Sequence, residues 1–117
     1  MKNKIYIGII TILLLSSVAL AHPPDSLIMS FDSTSTVLTV RIFHTVKNTT
    51  NHLINDVAVN LNGKPMITQK FSSQLNKDEQ VVIYKIIDAK ANDKIAVTAK
   101  CNVMGKKTAE LTYRVAR

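Results

Sequence analysis

The chain has 117 residues, with 15 lysines and arginines against 8 aspartates and glutamates, a formal net charge of +7. A length of this order supports one hydrophobic core and excludes a multidomain enzyme. Trp is absent and the basic residues are scattered, which argues against a nucleic-acid surface, where positive charge clusters and aromatics interleave. Cys101 is the single cysteine, so no internal disulfide can form.

Residues 1–21 read as a signal peptide. Lys2 and Lys4 precede an apolar run ending at Leu20, and Ala19-Leu20-Ala21 supplies the small-residue cleavage site. The run is short for a membrane span of about 20 residues. The expectation is cleavage after Ala21 and an exported, periplasmic or extracellular protein free of the membrane, forming one domain over 22–117. Loss of Lys2 and Lys4 leaves a charge of +5.

Beyond Ala21 the apolar residues alternate with period two and turn residues interrupt them regularly. A first strand is expected over 26–31 and a second over 37–44, with Leu38, Val40, Ile42 and His44 sharing the core face. The polar loop 45–51 leads to a third strand over 52–61, on which Val57, Val59 and Leu61 face one way. Asn62-Gly63 signals a type I′ hairpin, because both residues tolerate positive φ. The return strand, 65–71, starts at Pro65, which cannot donate to a ladder and so belongs on a sheet edge. The polar loop 72–80 precedes an apolar run over 81–87. Ile95, Val97, Ala99 and Cys101 share one face of the strand 94–101, a tight turn follows through Met104-Gly105-Lys106, and a last strand spans 108–115. Seven short strands without a convincing helix predict an all-β, immunoglobulin-like β-sandwich.

His22, His44, His52, Cys101 and Met104 are the candidate metal ligands. Imidazole, thiolate and thioether suit iron, copper or zinc and suit calcium or magnesium poorly. Each has a plainer reading: a histidine hydrogen-bonded in the core, a cysteine acting as a small hydrophobe, a methionine filling a gap. After cleavage His22 would carry the free amine, which with its ring nitrogen forms a chelate favouring copper; a disordered tail is the alternative. Asn48-Thr49-Thr50 fits the N-glycosylation pattern in a loop and is expected to be unmodified. Lys106-Lys107 could raise the local potential for a small anion, or simply solvate a turn.

The stretches Leu38-Thr39-Val40-Arg41-Ile42-Phe43-His44, His52-Leu53-Ile54, Val57-Ala58-Val59-Asn60-Leu61-Asn62-Gly63-Lys64 and Cys101-Asn102-Val103-Met104-Gly105 together resemble the iron-binding domain of desulfoferrodoxin and superoxide reductase. The resemblance runs over most of the chain after Ala21. It implies an immunoglobulin-like sandwich holding a mononuclear iron at one end, with His22, His44 and His52 as equatorial ligands and Cys101 as the axial thiolate. It further implies reduction of superoxide to hydrogen peroxide, with electrons from a separate donor. Met104 stands where the family has its fourth histidine, and the family's Glu-Lys pair before the first histidine is missing. Three readings follow: a domain of superoxide reductase type, a non-enzymatic copper or electron carrier using the same His, Cys and Met ligands, and a metal-free secreted binding module. The sequence leaves the oligomeric state and the electron donor open.

Overall fold

The computed structural model describes residues 23–114; the expected signal peptide, His22 and residues 115–117 lie outside this range. Seven strands follow one another: β1 Ser26–Asp32, β2 Val37–Phe43, β3 Ile54–Leu61, β4 Lys64–Lys70, β5 Glu79–Lys85, β6 Lys94–Cys101 and β7 Lys106–Thr112. They form two antiparallel sheets with strand orders β1-β2-β5 and β4-β3-β6-β7. This is the expected sandwich. The fourth strand joins the sheet of the third, so the immunoglobulin-like arrangement is divided three against four.

Alternation explains the core. Leu38, Val40 and Ile42 of β2 face Val57 and Val59 of β3 and Ile95, Val97 and Ala99 of β6, all fully buried. Full burial of such side chains stabilises by about 1.5–3 kcal/mol each. On β1 the inward residues Leu27, Met29 and Phe31 are half-buried, while Ser26, Ile28, Ser30 and Asp32 are exposed. The sheets meet where β1 runs beside β7, and there Lys107 Nζ donates to the carbonyl of Asp25 at 2.9 Å.

Turn chemistry sets the connections. Asn62 and Gly63 have φ of 52° and 82°, as a type I′ turn requires. Pro65 lies on β4, an edge strand, and the β3–β4 register slips beside it between Val59 and Asn60.

Several boundaries differ from the sequence expectation. β5 begins at Glu79 rather than 81 and ends at Lys85, because Ile86 turns into the core while Ile87 is left exposed. β7 begins at Lys106 because Lys100 pairs with Lys106 across the hairpin. Lys106 and Lys107 are therefore exposed strand residues and not a solvated turn. β2 stops at Phe43, one residue before His44, and β3 starts at Ile54, two after His52. His44 and His52 thus stand just outside the ladders, where side chains are free to converge at the end of the sandwich.

Candidate metal centre

The end of the sandwich carrying the ends of β2 and β6 and the start of β3 brings together His44, His52 and Cys101. Their ligand atoms all lie within 4.8 Å of one another. Donor atoms bound tetrahedrally to one metal at 2.0–2.3 Å are separated by roughly 3.3–3.8 Å, so the set needs only small side-chain movements to close on a metal. The two imidazole rings meet edge to face, with centroids 4.9 Å apart and planes at 85°.

His44 is fully buried. Its backbone N–H donates to Asp78 O at 3.0 Å, and its ring is gripped by Gln74, itself only 4% exposed. Gln74 Oε1 lies 3.0 Å from His44 Nδ1 and accepts from Ile54 N–H at 3.0 Å. Gln74 Nε2 donates to His44 O at 2.7 Å and Asn76 O at 3.0 Å. One buried amide thereby ties the end of β2, the start of β3 and the loop before β5. Gln80 reinforces that loop by accepting from Leu75 N–H and donating to Ser73 O, each at 3.0 Å.

His52 sits in the bend before β3, where its N–H donates to Asn48 O at 3.2 Å. The Asn48 side chain organises this bend: its Oδ1 accepts from Thr50 N–H at 2.9 Å, Thr50 Oγ1 at 2.8 Å and Asn51 N–H at 3.2 Å. The Asn48-Thr49-Thr50 triplet therefore has a local structural use as an Asx turn. A register shift between Ile54 and Asp56 leaves Asn55 as an extra residue opposite β6. Strict alternation back from Val57 would turn Ile54 outward; the bulge turns it into the core, where it pairs with Cys101. The same bulge aims the chain before it, with His52, at the cysteine.

Cys101 ends β6 on its buried side, 8% exposed. Its N–H donates to Gly105 O at 3.0 Å, closing a tight turn, and the N–H of Val103 donates to Sγ at 3.4 Å. A backbone donor on the sulfur suits a thiolate and would tune the potential of a metal held there. Asn102 fixes the cysteine turn to the histidine bend: its N–H donates to Leu53 O at 3.0 Å, its Oδ1 accepts from Leu53 N–H at 2.9 Å, and its Nδ2 donates to Asn51 O at 3.0 Å. The same Oδ1 lies 4.0 Å from Cys101 Sγ, so Asn102 reaches both the bend and, as sequence reasoning anticipates, the sulfur. Gln74 is missed altogether, because it falls in a polar stretch that reads as a solvated loop.

Of the five candidates, the structure gathers three. Met104 is 55% exposed in the turn after Cys101. His22 lies outside the described residues; its neighbour Pro23 packs on that same turn, so close that a Cβ built on Gly105 would stand 2.7 Å from Pro23 Cβ.

No protein-family model matches the chain, and neither curated proteins nor solved structures return a match. The resemblance to superoxide reductase therefore rests on the residues quoted for it.

Proposed function

We propose that the protein is an exported mononuclear metal-binding domain of superoxide reductase type, with iron as its metal. The observation that carries this reading is the convergence of His44 and His52, from the two ends of the β2–β3 connection, with Cys101 at the end of β6, to within 4.8 Å at one end of the sandwich. Two imidazoles and a thiolate form a donor set suited to a transition metal. Cys101 would supply the sulfur and His44 and His52 the nitrogen ligands, with His22, outside the described residues, as the third imidazole that the family resemblance implies. Held by these residues, iron would supply one-electron chemistry for the reduction of superoxide to hydrogen peroxide, with protons from solvent and the electron restored by a separate donor. The chain's own part is to hold the donors at fixed angles, to keep His44 out of water, and to present Val103 N–H to the sulfur.

A second reading is favoured by the composition of the cluster. Two imidazoles and one cysteine, with a methionine three residues after the cysteine, are the donor types of a copper electron-transfer site. Under this reading Met104 folds in as a weak ligand and the domain carries copper or electrons without turnover.

The test is metal analysis of protein purified without a histidine tag, followed by superoxide consumption. Stoichiometric iron lost in Cys101→Ser and His44→Ala, together with superoxide consumption, supports the first reading. Copper with no consumption supports the second. Metal content unchanged by both substitutions refutes both readings and leaves a metal-free binding module.

A further inference from the structure

We infer that Gln74 is a positioning residue that locks His44 in one tautomer, with the proton on Nδ1 and the lone pair on Nε2, and so selects Nε2 as the nitrogen offered to a metal. The inference rests on the metal-site reading above for its purpose, but the tautomer follows from hydrogen-bond logic alone.

A glutamine amide has one accepting and one donating end, and coordinates do not distinguish them by themselves. Here the surroundings do. Ile54 N–H can only donate, so the end of Gln74 facing it at 3.0 Å is the oxygen. The carbonyls of His44 and Asn76 can only accept, so the end facing them at 2.7 and 3.0 Å is the NH2 group. Three backbone groups with no freedom to reverse thus set the orientation of the amide. His44 Nδ1 lies 3.0 Å from the oxygen so assigned, and a hydrogen bond there requires a proton on Nδ1. In the neutral ring the lone pair is then on Nε2, a buried atom. A ligating histidine is commonly held this way, by a partner on its other ring nitrogen. Gln74 is held in turn at Gln74 N–H, which donates to Thr49 O at 3.0 Å, so the loop carrying the amide cannot swing away from the ring without breaking bonds at several points.

Long-range nitrogen–proton NMR on the 15N-labelled protein without metal reads the tautomer directly. The expected result is the Nδ1–H form for His44. Gln74→Glu keeps an oxygen facing Nδ1 and, with its other oxygen protonated to donate toward the His44 and Asn76 carbonyls, should keep the proton on Nδ1. Gln74→Met keeps the bulk, removes the acceptor, and should yield a tautomer mixture and zinc affinity about 10–100-fold weaker. A proton on Nε2 in the unsubstituted protein overturns the inference, as does a folded Gln74→Met protein that keeps both the Nδ1–H form and the zinc affinity. Should Gln74→Met fail to fold, the spectra of the unsubstituted protein and of Gln74→Glu still decide. Finding the Nδ1–H form in a protein that binds neither zinc nor iron supports the tautomer assignment and refutes the metal reading, which separates the two failures.

Discussion

Gly105→Ala tests whether the close approach of Pro23 to the cysteine turn constrains the fold. Two costs combine at this position. Gly105 has φ of +88°, where an L side chain crowds its own backbone at about 1–2 kcal/mol. The added Cβ would also stand 2.7 Å from Pro23 Cβ, 2.9 Å from its Cα and 3.1 Å from its N. Two of those atoms are backbone and cannot rotate away, so the 23–25 segment must shift, an overpacking cost of about 1–3 kcal/mol. Gly63→Ala is the internal control: its φ is +82°, but nothing lies within 4 Å of the built Cβ. Thermal unfolding of both variants should show a loss of about 1–2 kcal/mol for Gly63→Ala and about 2–5 kcal/mol for Gly105→Ala. In a domain of this size the latter lowers Tm by about 10 °C or more. Pro23→Gly combined with Gly105→Ala should recover part of the difference, since it removes the Cβ contact and keeps the backbone ones. Because Cys101 N–H donates to Gly105 O, the shift also reaches the thiol, and metal affinity should fall in Gly105→Ala alone. Equal destabilisation at both glycines would refute the argument that Pro23 is held against this turn.

Thr36, a β-branched residue at φ 54°, is strained, and Thr36→Asn should stabilise by about 0.5–1 kcal/mol, seen as a Tm higher by a few degrees; a lower Tm counts against backbone strain there. Burial pushes the Tyr84 hydroxyl up to about 12. The unfolded chain releases this proton near pH 10 while the folded one retains it, so stability should decline as pH rises from about 10 through 12. Phenolate absorbance during an alkaline titration reads the ionisation, and Tyr84→Phe should flatten the stability slope over that window.

Much of the sandwich was legible in the chain because a strand with one buried face must alternate. Leu38, Val40 and Ile42, then Val57, Val59 and Leu61, then Ile95, Val97, Ala99 and Cys101 all lie buried as their period-two spacing predicts. Asn62-Gly63 and Pro65 likewise carry their structural meaning locally, one through positive φ and the other through a missing donor. Local chemistry was enough to place a thiol and an imidazole at strand ends, on the core side.

Tertiary structure alone decided how the site closes. The extra residue at Asn55 reverses the facing of the chain before it, a break in alternation that period-two spacing does not announce. Gln74 turns from an unremarked loop residue into the buried holder of His44 only because three donors and acceptors distant in sequence surround its amide. Asn102 ties Cys101 to the His52 bend across a separation of about fifty residues. Period and propensity act over neighbouring residues, whereas these contacts depend on where two sheets meet, so spacing supplied the candidate ligand types while their convergence, expected only through the family resemblance, needed the tertiary structure.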